Sequence, residues 1–239
     1  MTAYAIFRIE DPMKNRNPDK TIDQLFDEFL ADQKARLSPR TLAKYKDAID
    51  LYRSYLESYW PDHSGEEYDA ITEANGTYCG TFGAKEIVSG FYEFLDYFMP
   101  HKVIAGYETM KTAGTVVKRL AKWLVEKGLI EDDESLGELL GKTARDLPAS
   151  QKLLDRLEDW LADNAPIDSG KRIEGHFTIQ RIEPRQIWLE PVLPDIRQNI
   201  SVPVPAAIAK ACKVGWDIGG AVAETAEGWR LVEVWNLSP

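Results

Sequence analysis

Hydrophobic side chains recur at helical spacing in the stretch TIDQLFDEFLADQK, residues 21–34. Thr21 and Gln24 stand three residues apart, which is the pattern of a capping box at the start of a helix. The apolar positions that follow are separated by steps that place them on one helix face: Ile22, Leu25, Phe26, Phe29 and Leu30. The pattern predicts a first amphipathic helix that begins after Thr21.

A second apolar seam runs through SPRTLAKYKDAIDLYRSYL, residues 38–56. Ser38 suits the N-cap, and Pro39 suits the first helical position, where its missing N–H costs nothing. Apolar and tyrosine side chains then alternate steps of three and four: Leu42, Tyr45, Ile49, Tyr52, Leu56 and Tyr59. We predict a second helix that starts at Pro39 and ends at Pro61.

The pattern is interrupted after this helix and then returns. Residues 62–82 show no sustained period and are predicted to form a long loop or a partly ordered insertion. A third helix is predicted near 84–98, where Pro100 ends it. A fourth covers about 107–127, with Gly128 placed as its C-cap.

Two further helical stretches are predicted near 133–144 and 149–163, and a helix break is predicted at Gly141. The stretch ADNAPIDSGKR, residues 162–172, is rich in Pro, Gly, Ser and Asp, as linkers are. We therefore place a domain boundary there, between a helical domain at 1–165 and a second domain at 170–239.

Short β-rich runs fill the second domain, separated by Pro, Gly and Asp. They are GHFTIQRI, RQIWLEPV, NISVPV, VGWDIGGAVAE and GWRLVEVW, with a short helix predicted at 205–213 between the third and fourth. Five such strands predict a small antiparallel β-barrel of SH3-like or OB-like size. The predicted fold class is α+β, an N-terminal all-α bundle followed by this barrel.

Composition and the lengths of the apolar runs indicate where the protein is expected to be located. The chain has 239 residues, of which 44% are hydrophobic and 10% aromatic, so it can bury a substantial core. The apolar runs are shorter than the ~20 residues of a membrane span, and the start of the chain lacks a secretion signal. We expect a cytoplasmic protein without membrane contact, in which Cys79 and Cys212 are buried thiols.

Charge is spread unevenly along the chain. The net charge is −10, which argues against nonspecific nucleic-acid binding by the whole surface. Residues 131–168 hold 4 basic and 11 acidic side chains, whereas residues 1–130 hold 17 and 20. The acidity is therefore concentrated in the helices predicted at 131–165, and a local basic face elsewhere remains open.

Motifs of catalysis and cofactor binding are weak. GELLGKT, residues 137–143, has only three residues between its glycines, where a phosphate-binding loop needs four. The three histidines, His63, His101 and His176, are isolated in sequence from one another and lack metal-ligand spacing. We expect no catalytic residues, no metal and no cofactor.

The fourth predicted helix carries the most specific physical feature. Lys111, Lys118 and Lys122 recur at steps of seven and four on the polar side, with Arg119 beside them and Thr115 between. Such a stripe suits contact with phosphates, Thr115 donating a hydrogen bond to a backbone oxygen. An ordinary amphipathic helix with a lysine-rich solvent face explains the same pattern, and both interpretations stay open.

The first helix, the 38–56 stretch and the later GTVVKRLAKWLVEKGLI together resemble the core-binding, SAM-like domain of tyrosine recombinases and phage integrases. The resemblance covers about residues 20–130. It rests on the helix start at Ser38, Thr41 and Tyr45, and on the later run with Trp123, Leu124, Gly128 and Ile130. It implies DNA contacts from two sites, which are Arg40, Thr41 and Lys44 on the second helix and Lys118, Arg119 and Lys122 on the fourth.

The chain departs from that family in two respects. The insertion at 61–83 is unusual, and the paired arginines, H-x-x-R motif and nucleophilic tyrosine of a recombinase are not recognisable. We therefore predict a non-enzymatic protein that binds double-stranded DNA through a local basic face, an accessory or regulator derived from a mobile element. The alternative is a protein-interaction module whose contact surfaces are the acidic segment or the barrel.

Overall fold

The computed structural model describes residues 19–59, 76–166, 170–192 and 199–239. Pro61, His63 and most of the predicted loop at 62–82 lie outside these ranges. The helices are α1 (Ile22–Lys34), α2 (Pro39–Ser58), α3 (Tyr78–Thr81), α4 (Ala84–Ser89), α5 (Phe91–Glu93), α6 (Met99–Lys102), α7 (Tyr107–Glu126), α8 (Glu134–Asn164) and α9 (Ala206–Ala211), with a π-helical turn (Phe94–Phe98) between α5 and α6. The strands are β1 (Arg172–Glu183), β2 (Gln186–Pro191), β3 (Ile200–Pro203), β4 (Asp217–Thr225) and β5 (Gly228–Ser238). The fold is α+β, as predicted, with most helices N-terminal to the sheet.

The described residues form two compact units. The first unit contains residues up to Phe91 together with Val116–Glu134, and the second contains Tyr92–Thr115 together with Ser135–Pro239. Helix α7 contributes its second half to the first unit and its first half to the second. The domain boundary placed at 162–172 from composition stays a prediction. Within the described ranges, no helix has the length and apolar character needed to cross a membrane.

Helices α1 and α2 begin where the sequence predicts. Thr21 accepts a hydrogen bond from the Gln24 backbone N–H at 3.4 Å, and the Gln24 side chain accepts one from the Thr21 N–H at 3.0 Å. Ser38 caps α2 by accepting the Thr41 N–H at 3.2 Å, with Pro39 in the first turn. Both caps satisfy backbone donors that the helix itself leaves unpaired, which is why these two boundaries follow from local sequence.

Aromatic rings build the core of the first unit. The Tyr52 ring lies 5.9 Å from Phe26 and 5.5 Å from Phe91, centroid to centroid. The Tyr52 hydroxyl donates to the Ile87 carbonyl, so this buried polar group is satisfied. The apolar seam of α2 is thereby fixed against α1, α4 and the start of α5.

Helix α3 is an ordered turn within the stretch 62–82, which was predicted to be a long loop or a partly ordered insertion. The Glu57 carboxylate of α2 accepts the backbone N–H groups of Tyr78 at 2.9 Å and Cys79 at 2.8 Å. Thr77 also caps the turn by accepting the Gly80 N–H at 3.0 Å. A side chain from a distant part of the chain therefore stabilises this helical turn, which a local pattern does not reveal.

The predicted single helix at 84–98 is interrupted, and Pro100 does not end it. Helix α4 ends at Ser89, and Gly90 follows as its C-cap. A Cβ added at Gly90 would lie 2.9–3.1 Å from Tyr52, Tyr55 and Leu56. The π turn closes with the Met99 N–H donating to the Phe94 carbonyl, and the chain stays helical to Lys102. Pro100 is tolerated because it falls in the first turn of α6, where its missing N–H costs little.

The C-terminus of α7 confirms the predicted glycine cap. Gly128 has a φ of 69°, a left-handed conformation that glycine adopts without strain. Its N–H donates to the Val125 carbonyl at 2.9 Å, and the Leu129 N–H donates to the Leu124 carbonyl at 3.0 Å. These bonds satisfy carbonyls that the end of the helix would otherwise leave open.

Helix α8 is continuous, so the two helices and the break predicted at Gly141 are wrong. An added Cβ at Gly141 meets nothing within 4 Å, and Pro148 lies inside the helix. Pro148 has no N–H to donate to the Ala144 carbonyl. The oxygen of that carbonyl would lie 3.1 Å from a Cβ added at Gly114 on α7. The close approach of α7 and α8 at Gly114 thus occurs where the proline opens the backbone of α8.

The five predicted strands and the short helix between the third and fourth are confirmed, but the closed barrel is not supported. The strands form one antiparallel sheet in the order β3-β2-β1-β4-β5, with β3 and β5 as its edges. The edge strands approach each other within 8 Å between Cα atoms. The described strands therefore form a strongly curved but open sheet.

One face of the sheet packs on the second half of α8. The buried cluster there contains these residues from the helix and the sheet: Leu153, Leu157, Leu161, Phe177, Ile179, Ile187, Leu189, Ile218 and Leu237. Along β1 these side chains alternate with His176, Thr178 and Gln180, so the opposite face of that strand carries polar residues.

Both thiols are buried and free, as predicted. Burial raises the pKa of Cys212 to about 12, and it raises the pKa of Cys79 further. Neither cysteine is therefore a thiolate near neutral pH, and neither is a candidate nucleophile.

Candidate nucleic-acid interface

The turn between α1 and α2 concentrates positive charge. Residues 33–46 hold five basic side chains and no Asp or Glu. Four of the five are exposed and Lys44 is half-buried; the set is Lys34, Arg36, Arg40, Lys44 and Lys46. Sequence reasoning selected Arg40 and Lys44 and missed the other three, although a count of charge over a short window would have found them.

The N-terminus of α2 lies inside this basic stretch. A helix N-terminus carries a partial positive charge from the aligned peptide dipoles, which adds to the charge of Arg40 in the first turn. The Thr41 hydroxyl lies 2.9 Å from the Ser38 hydroxyl, so it is part of the capping arrangement. Either oxygen can be the donor, and Thr41 can still offer its other lone pair or its proton to a ligand.

The second half of α7 supplies the other predicted contacts. Lys118 and Lys122 are exposed, and Arg119 is half-buried. Lys122 lies 3.7 Å from Glu126 one turn later, a weak exposed ion pair. Arg40, Lys118 and Arg119 form no ion pair with any residue that the structure describes. Their charge is available to a ligand.

Phe29 of α1 links these two regions within the first unit. Its ring lies 6.3 Å from Tyr45 on α2 and 5.7 Å from Trp123 on α7, centroid to centroid. Tyr45 follows Lys44, and Trp123 follows Lys122. The second turn of α2 and the last turns of α7 therefore both contact the same ring.

Two acidic side chains of α1 lie near this arrangement, and both are paired. Asp32 accepts from the Trp123 indole at 2.9 Å and pairs with Lys127 at 2.9 Å, while Glu28 pairs with Lys127 at 3.3 Å and with Lys20. The hydrogen bond from Trp123 and then that from Lys127 lower the pKa of Asp32, and the Lys20 contact lowers the pKa of Glu28. These acids are ionised but neutralised by local partners, so they do not cancel the unpaired cations.

Lys111 and Thr115 belong to the first half of α7, which is part of the second unit. Both are exposed. The Lys111 ammonium lies 5.8 Å from the centre of the Tyr107 ring. The Thr115 hydroxyl donates to the Lys111 carbonyl at 2.8 Å, so its proton is already used inside the helix. Thr115 is thus less suited to donate to a phosphate than the sequence pattern indicated.

The histidines that look isolated in sequence come together in the second unit. The ring of His101 on α6 lies 5.6 Å from that of His176 on β1, and it stacks on Tyr97 at 4.8 Å. Burial lowers the pKa of His101, and the neighbouring His176 lowers it further. Burial also raises the pKa of Asp96, in the π turn, to about 6. No local sequence signal predicts this polar group, because its members come from separate elements.

Comparison of the chain with protein-family models, with curated proteins and with solved structures finds no match. Exposed guanidinium and ammonium groups beside a helix N-terminus bind phosphate oxygens by charge and by hydrogen bonds. The arrangement is suited to a polyanion.

Proposed function

We propose that the first unit binds double-stranded DNA without catalysing a reaction. The observation that carries this proposal is the basic stretch at 33–46, which is free of acidic residues and lies on the same unit as the basic second half of α7. Tyr45 of α2 and Trp123 of α7 both contact the Phe29 ring. Arg40, Lys44, Lys118, Arg119 and Lys122 would contact backbone phosphates, and the N-terminus of α2 would add its dipole. Such contacts position a protein on a duplex without reading its sequence.

The resemblance to recombinase core-binding domains supports the same mode of binding. In that family a helical bundle clamps DNA from one side with basic and hydroxyl side chains, and the matching positions here are Arg40, Thr41, Lys44 and Lys118. We propose an accessory or regulatory role of the kind found in mobile elements. The chain would then hold DNA for another protein's chemistry.

The overall charge of −10 is compatible with a localised interface. Acidic side chains elsewhere repel the duplex and restrict its contact to the basic surface. They also keep nonspecific binding by the second unit low. We therefore expect a moderate affinity that depends strongly on salt.

A protein-interaction module is the second candidate function. The observation that favours it is the excess of acid at 131–168, with 11 acidic and 4 basic side chains, much of it along α8. Leu139 is exposed on the same helix. A basic partner would recognise such a face. In that case the cations of the first unit would serve solubility alone.

Fluorescence anisotropy with a labelled duplex of random sequence separates these candidates. At low salt we expect saturable binding that the pair Arg40→Ala/Lys118→Ala weakens about tenfold. The matched control is Lys152→Ala/Lys210→Ala, which removes two exposed charges from the second unit. Equal affinity of the two double variants, or no binding by the unmodified chain, would overturn the proposal.

A further inference from the structure

His101 and His176 are the only histidines in the described ranges, and the fold brings them into contact. His101 lies on α6, next to the π turn, and His176 lies on the polar face of β1. Their ring centroids are 5.6 Å apart. Helix α6 also lies against β5, so the contact joins a helical segment to the sheet within the second unit.

The hydrogen bond of His101 fixes which ring nitrogen is available. Its Nδ1 lies 2.8 Å from the Tyr97 carbonyl oxygen, and a carbonyl can only accept, so Nδ1 carries the proton. The lone pair of the neutral ring is then on Nε2. Metal-binding histidines are commonly oriented in this way, with the second nitrogen donating to a backbone carbonyl.

The separation of the two rings matches that of two imidazoles on one ion. A metal–nitrogen distance of about 2.1 Å places a ring centroid about 3.2 Å from the ion. Two such rings then have centroids about 4.5–6.4 Å apart for angles at the metal between 90° and 180°. The observed distance falls inside this window.

Further oxygen acceptors lie on the same face of the sheet. In the ladder, His176 pairs with Gly219, and Gly219 pairs with Asn236. The Asn236 side chain fills the space above Gly219, and its Oδ1 is buried without a hydrogen-bond partner in the described structure. Asp217, two residues before Gly219, adds a carboxylate that Thr178 holds at 2.5 Å. A water on an ion at His176 would find acceptors here.

We propose that His101 and His176 together bind one divalent transition-metal ion that prefers imidazole nitrogen, of the Zn²⁺ class. The protein supplies two ligands, since no three His, Cys, Asp or Glu side chains in the described ranges already stand within reach of one ion. Water completes the coordination. Because the ligands come from α6 and β1, the ion fastens the helical segment to the sheet and stabilises the folded chain by mass action.

Isothermal titration of the full chain with ZnCl₂ at neutral pH tests this site. We expect one saturable site, weakened about tenfold or more by His101→Gln and likewise by His176→Gln. His63→Gln removes the third histidine and serves as the matched control, with unchanged affinity expected. No saturable binding, or binding that either substitution at His101 or His176 leaves intact, overturns the proposal.

A measurement on the unmodified chain tests the site even if the variants do not fold. In NMR spectra of the histidine imidazoles, Zn²⁺ should shift the resonances of two rings in parallel and leave the third unchanged. Shifts confined to one ring, or to none, would contradict a shared ion.

Discussion

The indole N–H of Trp123 donates a hydrogen bond to the carboxylate of Asp32 across 2.9 Å. The two residues come from α7 and α1, and the Trp123 ring also packs edge-on against Phe29 at 5.7 Å. A single side chain thus combines an apolar contact with a charge-assisted hydrogen bond. This pair orients the basic end of α7 within the first unit.

Replacing Trp123 by Phe tests the contribution of that hydrogen bond. The variant keeps a ring against Phe29 but removes the donor to Asp32, so we expect a loss of about 1–2 kcal/mol in the free energy of unfolding. Urea denaturation measures it. Trp235→Phe is the matched control, because Trp235 is exposed and its bond to Glu233 is a surface contact. Equal losses in the two variants would contradict the structural role of Trp123.

A substitution at Gly114 tests the contact between α7 and α8. A methyl group there would lie 2.8 Å from the Ala144 Cβ and 2.9 Å from its Cα. We expect Gly114→Ala to cost about 1–3 kcal/mol, since backbone atoms must move apart. Gly141→Ala is the control on the same pair of helices: with nothing within 4 Å, alanine should stabilise α8 by up to about 1 kcal/mol. Thermal denaturation should show opposite shifts, and shifts of one sign would be inconsistent with this packing.

The raised pKa of Asp96 predicts a pH-dependent stability. Burial raises it from 3.8 to about 6, so the folded state binds the proton more tightly than the unfolded state. The resulting stabilisation is complete below about pH 3.8 and is lost as pH rises through about 6. At pH 7.5 the ionised carboxylate therefore lowers stability compared with a neutral side chain.

Asp96→Asn should consequently stabilise the protein at pH 7.5, by about 1–2 kcal/mol once partial solvent screening is taken into account. The gain should shrink as pH falls toward 4. Urea denaturation at the two pH values measures both quantities. A gain in stability of the same size at pH 7.5 and pH 4, or a loss at pH 7.5, would contradict a raised pKa of Asp96 in the folded state.

Sequence predicted the elements whose boundaries depend on neighbouring residues. The caps at Thr21 and Ser38, the glycine at Gly128 and all five strands follow from local hydrogen-bonding capacity and alternation. Helix α3 was not predicted from the sequence, because the Glu57 carboxylate that stabilises it belongs to another helix. The continuity of α8 was not predicted either, because tertiary packing outweighs the low helix propensity of Gly141 and Pro148.

The candidate sites also contain residues that the sequence could identify and contacts that it could not. Arg40 and Lys118 could be selected from sequence because charge and helical phase are local properties. The contact of both helices with Phe29, through Tyr45 and Trp123, required the fold. The contact of His101 with His176 had no sequence signal at all, since one residue lies on a helix and the other on a strand.

The salt dependence of DNA binding tests the central claim most directly. Each phosphate contact releases counterions, so the logarithm of the binding constant should fall linearly with the logarithm of salt concentration, with a slope of about −5 for five or six contacts. In Lys118→Ala/Lys122→Ala the magnitude of the slope should drop by about 2. Absence of binding at low salt, or an unchanged slope in the double variant, would contradict a DNA interface on the first unit.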